Sequence, residues 1–259
     1  MSSPITTELV KELRDATGIS VMQCRKALEE AGGDMKVALA ILKKSSSAIA
    51  EKKMGREAKD GAVTVATSGN KSVLLALHCE TDFVSRNEDF TNLLNALGAK
   101  ALAEGAEAAR SGSKEMIDGV IQKTGENIQL GDIYEIEGDV VGSYVHNGKS
   151  AVIVSLTGGT SELARDIAMH ITAMKPEYIT DAEVSEDAKA TITEVFKKEV
   201  ASVDKPEEIK KKMLDGKINT YFAEKTLLHQ PFIKDGEMKI SQLLEKSKAT
   251  IKEVKRYTI

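Results

Sequence analysis

The chain has 259 residues, of which 41% are apolar and 29% charged, which is enough for two or three small domains with buried cores. Only 4% of the residues are aromatic and Trp is absent, so the composition favours a helix-rich α+β fold over an all-β one. The net charge of −4, with both signs intermixed, provides no basic surface for a nucleic-acid backbone, and we expect no nucleic-acid partner.

The cysteines and the N-terminal sequence narrow the class of protein further. Cys24 and Cys79 are far apart and have no C-x-x-C spacing, so neither a disulfide framework nor a zinc site is indicated, and we expect both thiols to be reduced and half-buried. Residues 1–7 lack the charged and apolar regions of a leader, and no apolar run approaches the roughly 20 residues of a membrane span. We therefore expect a soluble, cytoplasmic protein without a membrane partner.

Residues 1–54 are predicted to form a domain of three short helices. The second helix begins with a capping box at Ser20, and Asp34 is the predicted N-cap of the third. The serines at 45–47 and the polar residues 51–60 then interrupt the apolar periodicity. This interruption predicts a linker that is partly helical.

Two stretches repeat one pattern, a β-hairpin followed by a helix. In the first, residues 55–140, strands are predicted at 62–66 and 72–77. The second comprises residues 141–180, and the β-prone residues 229–259 are predicted to complete its sheet. The repetition indicates two related antiparallel-sheet-plus-helix subdomains.

Residues 181–228 have the apolar spacing of helices and no predicted strand, unlike the stretches before and after them. Apolar residues fall at helical spacing on both sides of Pro206, which suits the first position of a second helix, and Gly216 is predicted to interrupt that helix. We expect a helical hairpin inserted into the second subdomain.

The most informative segment is Thr81-Asp82-Phe83-Val84, which we call the TDFV segment. It follows a predicted buried strand at 73–77 and precedes an S-x-x-E capping box at 85–88, so Ser85 is the predicted N-cap of the next helix. The segment is therefore predicted to be a rigid loop that holds the Phe83 ring out to enter another molecule. Spacing alone leaves an equal alternative, in which Phe83 folds back onto the helix or the core.

Motifs for nucleotide binding and for covalent catalysis are absent from the sequence. It contains no G-x-x-x-x-G-K-[ST], no G-x-G-x-x-G after a strand, no G-x-S-x-G and no H-E-x-x-H. An enzyme that uses Asp82, His146 or His170 as acid or base is thus the least supported alternative. We expect no catalytic residue, metal or cofactor; a passive adaptor that binds a partner irrespective of nucleotide is the other alternative.

Seven short segments, in order and with the family's spacing, closely resemble the bacterial elongation factor Ts family along nearly the whole chain. They are residues 13–18 (LRDATG), 22–28 (MQCRKAL), 80–84 (ETDFV), 125–128 (GENI), 142–146 (GSYVH), 167–171 (IAMHI) and 230–232 (QPF). The resemblance implies a guanine-nucleotide exchange factor that binds elongation factor Tu, both GDP-bound and nucleotide-free. It also implies that residues 1–54 are like a ubiquitin-associated domain and grip the partner's GTPase domain.

The resemblance further implies which residues meet the partner. Asp82 and Phe83 would enter it near its magnesium and phosphate site. The other positions that match the family's contact positions are Arg14, Val21, Met22, Ile128 and His146. By the same resemblance, the hairpin at 181–228 serves either in self-association, as a homodimer or 2:2 complex, or in reaching a distal domain of the partner. Longer members continue beyond the position of Ile259 into a C-terminal helical module, so the resemblance leaves open any partner contact made by that module.

Overall fold

The computed structural model describes residues 5–259, so the predictions for residues 1–4 lie outside it. The fold is a mixture of α-helices and antiparallel sheet, which confirms the predicted α+β class. Contacts group the described chain into two compact units. The first contains residues up to Ile136 with Val145–Ala151 and Lys255–Ile259, and the second contains Glu137–Tyr144 and Val152–Val254. The predicted four-part division (1–54, 55–140, 141–180 with 229–259, and 181–228) stays a prediction.

The first unit begins with three helices: α1 (Thr7–Thr17), α2 (Val21–Glu30) and α3 (Met35–Lys53). Each is capped by a polar side chain, since Thr6 accepts a hydrogen bond from the Leu9 N–H, Ser20 from Gln23 and Asp34 from Lys36 and Val37. The three helices share one core, in which the fully buried side chains are Leu13, Cys24, Leu28 and Ala38.

The predicted, partly helical linker begins later than predicted, because α3 continues through the serines at 45–47 to Lys53, and only residues 54–59 lie outside helix and strand. The Ser45 and Ser46 hydroxyls donate to carbonyls of their own helix, at 2.8 and 2.6 Å, and Ser47 donates to the Asp118 carboxylate at 2.7 Å. Their polar groups are thus satisfied without breaking the helix. As a result α3 joins two cores, with Ala38 in the first and Ala50 in the second.

The second core of this unit lies between a three-stranded sheet and two helices. The sheet has the order β1 (Asp60–Ser68), β2 (Lys71–Cys79), β3 (Gln129–Glu137), and β1 pairs with β2 in antiparallel register. Helix α5 (Glu88–Glu104) packs on β1 and β2, and α6 (Ala106–Thr124) packs on α5 and α3. Strand β2 is buried on both faces over residues 72–77, so its end is a fixed point in the unit.

Two predictions at the end of β2 are wrong. The TDFV segment is not a loop, because Asp82–Ser85 forms a one-turn helix, α4, for which Thr81 is the N-cap. Ser85 does not cap α5; its N–H donates to the Thr81 carbonyl at 3.1 Å, which places it inside α4. Asn87 takes the cap position of α5 instead, and its side chain accepts from the Asp89 N–H at 2.8 Å.

The second unit is built on the sheet β4 (Val140–His146), β5 (Ser150–Thr157), β8 (Thr250–Thr258), and β8 completes it as predicted. Helix α7 (Ser161–Met174) covers this sheet together with the short hairpin β6 (Pro231–Phe232), β7 (Asp235–Lys239) and helix α10 (Ile240–Lys246). The strand ends at 145–151 and 255–259 are grouped with the first unit.

The predicted helical hairpin is present as α8 (Glu186–Ala201) and α9 (Glu207–Lys225), which pack on each other. The predicted interruption at Gly216 is wrong, because α9 runs through it. Short 3₁₀ turns lie at Asp181–Glu183 and Leu227–His229. The two ends of the insertion are tied together, since the Glu177 N–H donates to the Lys225 carbonyl at 2.9 Å.

The two thiols are unpaired, and both are fully buried rather than half-buried as predicted. Among the described residues no helix has the length and apolarity to cross a bilayer. Within the same range, no cluster of three or more His, Cys, Asp or Glu side chains could hold a metal ion.

Candidate functional site

The Phe83 side chain is 84% exposed, so the alternative in which it folds back onto the helix or the core is wrong. Large apolar side chains at that level of exposure are informative when they are fixed in place. The neighbouring Asp82 lies in the first turn of α4 and pairs with Arg86 at 3.2 Å. An aromatic ring and a carboxylate therefore project together from one helical turn.

The start of the TDFV segment is fixed by Glu126. We call Glu80, Thr81, Glu126 and Asn127, which are joined by hydrogen bonds, the Glu126 cluster. The Glu126 carboxylate accepts three hydrogen bonds: from the Glu80 N–H at 3.0 Å, the Thr81 N–H at 3.0 Å and the Thr81 hydroxyl at 2.6 Å. In return, the Glu80 carboxylate accepts the Asn127 N–H at 2.7 Å. Hydrogen bonds to a charged acceptor are the stronger kind, so this end of the segment is held rigidly.

The underside of the segment rests on the second core. Val84 packs against that core, and Ser85 is buried. The Cys79 thiol donates to the Thr81 carbonyl at 3.2 Å. Burial, reinforced by the charges of Asp60 and Glu126, raises the pKa of this thiol to about 12. The thiol is therefore a neutral, structural group beneath the segment.

The surface beside Phe83 is a shallow depression lined by Lys59, Asp60, Glu80, Thr81, Asp82 and Phe83. Three of these six side chains are carboxylates. Each of the three pairs with a basic side chain, Asp60 with Lys149, Glu80 with Arg56 and Asp82 with Arg86, so the depression is polar and its charges are largely balanced.

The predicted contact residues of the three-helix region lie on its surface. Val21 and Met22 form the first turn of α2 and are 55% and 78% exposed, and Arg14 lies in the last turn of α1. Sequence spacing alone gives Met22 the role of core filler, and its exposure overturns that interpretation.

The remaining two predicted contact residues differ from each other. His146 is exposed at the end of β4, next to Asn147. Ile128, in contrast, is only 3% exposed and packs in the second core. Its side chain offers almost no surface to a partner, because it directly follows the residues that bind Glu80 and Thr81 and is drawn into the core under them.

Spacing could not identify Glu126 as a part of the site. It lies 45 residues from Thr81, and the two meet only because β2 and the end of α6 converge. The one signal in the sequence is the GENI segment at 125–128, which contains Glu126. Lys149, described below, carried no sequence signal.

An exposed, rigidly held aromatic ring beside a carboxylate, on an α+β scaffold, is typical of a surface that contacts another protein. Comparison with known proteins identifies the family. A family model described as Elongation factor TS matches residues 80–259. The chain is 42% identical to Elongation factor Ts of Hahella chejuensis over 262 residues, which cover 98% of this chain and 92% of the relative.

Two further relatives give the same result. Elongation factor Ts of Psychrobacter sp. is 38% identical over 99% of this chain and 91% of its own length, and that of Aeromonas hydrophila is 37% identical over 98% and 90%. The chain therefore belongs to the elongation factor Ts family of translation factors.

Proposed function

We propose that this protein binds elongation factor Tu in its GDP-bound form and accelerates GDP release, so that GTP can rebind. The observation that carries the proposal is the TDFV segment, in which Phe83 is 84% exposed on a helical turn whose start is held by Glu126. The segment enters the partner near the site that holds magnesium and phosphate.

The energy for this step comes from burying Phe83 in the partner. Full burial of such a side chain is favourable by about 2 kcal/mol. Because the segment is already ordered, little conformational entropy is lost when it binds. Asp82 then adds a negative charge close to the partner's metal and phosphate, where it competes with the groups that hold them.

Exchange follows from linkage and needs no covalent chemistry, so we propose that the protein is not an enzyme and uses no cofactor. It binds best to a partner conformation that holds nucleotide and Mg²⁺ poorly. By linkage, bound GDP weakens the binding of this protein to the partner, and this protein weakens the binding of GDP by the same factor. GTP binding then releases the factor. As a translation factor, it acts in the cytoplasm.

We propose that the remaining predicted contact residues strengthen the binding of elongation factor Tu and have little effect on the maximal rate of GDP release. Arg14, Val21 and Met22 present the surface of a ubiquitin-associated-like domain to the partner's GTPase domain, and His146 adds a further contact. Ile128 lies in the second core, two residues after Glu126. The use of the α8–α9 hairpin, in self-association or in reaching a distal domain, stays a prediction.

The test is the release rate of a fluorescent GDP from elongation factor Tu, measured as a function of the concentration of this protein. We expect a large acceleration that saturates. The double variant Asp82→Ala/Phe83→Ala should keep the fold and much of the binding but lose most of the acceleration. Ile233→Ala, at another exposed apolar side chain (47% exposed) outside the proposed contacts, is the control and should behave like the wild type.

Two outcomes would contradict the proposal at different levels. Unchanged acceleration by the double variant would refute the role of the TDFV segment. Binding without any acceleration by the wild type would support a passive adaptor instead.

A further inference from the structure

Lys149 makes three polar contacts close to the TDFV segment. Its ammonium donates to the Asp60 carboxylate at 2.6 Å, to the Gly61 carbonyl at 2.6 Å and to the Ser85 hydroxyl at 3.2 Å. An ammonium has three N–H groups, so these acceptors use its full capacity. Asp60 and Gly61 begin β1, whereas Ser85 is the last residue of α4.

The backbone around Lys149 is also fixed. Lys149 follows the tight turn at Asn147 and Gly148 and donates from its N–H to the His146 carbonyl at 3.0 Å. The Gly148 carbonyl accepts from the Val63 N–H at 2.8 Å, and the Lys149 carbonyl accepts from the Ile259 N–H at 2.9 Å. The turn that follows His146 is thus bonded to β1 and to the last residue of the chain.

The charge state of this contact is well defined. Burial opposes the ionisation of Asp60, but the hydrogen bonds from Lys149 and from the Gly61 N–H outweigh it and lower the pKa of the carboxyl. At neutral pH the Asp60 carboxyl is therefore ionised. Both side chains are about one-third exposed or less, 28% for Asp60 and 35% for Lys149, so water screens the pair less than it screens the surface pairs.

We propose that Lys149 is a positioning residue for nucleotide exchange: it holds the C-terminal end of α4, and with it Phe83, against β1 and the turn that carries His146. This inference rests on the proposed function and deepens it. A single helical turn is not stable on its own. Glu126 fixes its first end, and Lys149 fixes its second.

The proposal predicts a particular kinetic signature. Without the ammonium, the C-terminal end of α4 loses its polar contact with β1 and is held only by the core packing of Val84 and Ser85, so Phe83 must be ordered further when it binds. In Lys149→Met, which removes the ammonium but keeps most of the length of the side chain, we expect the maximal rate of GDP release to fall roughly tenfold or more. The half-saturating concentration should change much less, because the three-helix surface is untouched.

A double-mutant cycle separates positioning from general destabilisation. In a Phe83→Ala background, Lys149→Met should change the maximal rate by less than about twofold, because the ring it positions is gone. Lys123→Met is the matched control, since its ammonium pairs with Asp89 at 2.6 Å in the same unit; it should leave the maximal rate at the wild-type value. An equal loss from Lys149→Met in both backgrounds would overturn the proposal.

Two further measurements keep the test independent of folding and of the proposed function. Asp60→Asn/Lys149→Met removes both charges, so it avoids an unpaired, partly buried carboxylate and should still show the reduced rate. In the isolated protein, a ¹⁹F label on the Phe83 ring should show greater mobility in Lys149→Met than in Lys123→Met. Unchanged mobility of the Phe83 ring would overturn the positioning role of Lys149. If the mobility increases but the wild type does not accelerate GDP release, the positioning of Phe83 by Lys149 is supported and the proposed function is refuted.

Discussion

Glu126 accepts three hydrogen bonds with one carboxylate, so the TDFV segment depends on it directly. In Glu126→Gln one acceptor oxygen becomes an NH₂ group that faces N–H donors. We expect a loss of about 1–3 kcal/mol in the free energy of unfolding, together with a lower maximal rate of GDP release. Denaturant unfolding and the exchange assay measure the two effects.

The control for this change is Glu115→Gln. Glu115 forms an ion pair with Lys43 at 2.6 Å, but its side chain is 71% exposed. Such pairs contribute little, so this variant should stay within about 0.5 kcal/mol of the wild type. An equal loss in both variants would show that Glu126 has no special role.

His170 gives the second unit a dependence on pH. The ring is fully buried, its Nδ1 accepts from the Ile233 N–H at 3.2 Å, and its Nε2 lies 2.9 Å from the Gln230 side-chain oxygen. The proton is therefore on Nε2, and a second proton on Nδ1 would displace the Ile233 N–H. Burial lowers the pKa of His170 below its ordinary value of 6.5, against the smaller opposing effect of Gln230.

The sign of the effect follows from linkage. Below pH 6.5 the unfolded chain takes up a proton that the native ring resists, so the folded state loses stability until the pH reaches the lower native pKa. Within that window the loss is at most about 1.4 kcal/mol per pH unit. Unfolding measured between pH 7 and pH 5 should show this slope in the wild type and not in His170→Gln. Parallel curves for the two proteins would contradict the prediction.

At the scale of elements, most helices and strands could be predicted from caps and periodicity, as Ser20, Asp34 and strand β2 show. The failures share a cause. Ser85 and Asn87 both suit a cap, and the choice between them depends on Thr81, which starts α4 first because Glu126 orients it. The serines of α3 suggested the end of a helix because the sequence does not show how their hydroxyls are satisfied. Ser47, for example, donates to Asp118, which lies 71 residues away in the sequence.

Helix α3 leads to a prediction for truncated proteins. Deleting residues up to Lys44 removes the three-helix core but keeps Ile49 and Ala50 in the second core. We expect this variant to bind elongation factor Tu more weakly, with a maximal release rate close to the wild-type value. Deletion up to Lys53 also removes Ile49 and Ala50, and this should cost a further 2 kcal/mol or so in stability.

One titration of the exchange assay gives both the half-saturating concentration and the maximal release rate. Thermal unfolding compares the stability of the two truncated proteins. Tight binding by the shorter deletion would refute the role of the three helices in affinity. Equal stability of both truncated proteins would refute the role of α3 in the second core.

At the scale of the whole molecule, the α8–α9 hairpin is separable from the core of the second unit. That core draws on β5, α7, β6, α10 and the residues after α9, and includes no side chain from either helix of the hairpin. Val184 and Phe222 line one pocket at the hairpin's base. A short Gly/Ser linker can therefore replace residues 186–221.

We expect the protein without the hairpin to unfold within a few degrees of the wild type and to reach the same maximal rate of GDP release. A changed half-saturating concentration or a changed molecular mass by light scattering would then reveal what the hairpin does. A large fall in the maximal rate would contradict this prediction and place the hairpin in the exchange step itself.

The function of the whole molecule could be inferred only in part from its residues. Composition and the absence of catalytic motifs excluded several classes of protein, but spacing left Phe83 equally divided between surface and core. The resemblance indicated the partner, and the structure fixed the exposure of Phe83. The contacts of Glu126 and Lys149 were beyond sequence reasoning, since each joins segments that meet only in the folded chain.

The rate at which a reagent modifies the buried thiol of Cys79 measures how often the structure opens around it. A thiol reagent can reach it only in molecules that have opened at the end of β2, since the sulfur is buried in the second core and the thiol donates a hydrogen bond to the Thr81 carbonyl. Its pKa of about 12 further ensures that the closed form is inert. Cys24 lies in the separate core of α1–α3, so the two modification rates, resolved by peptide mass, count two independent opening events in one experiment.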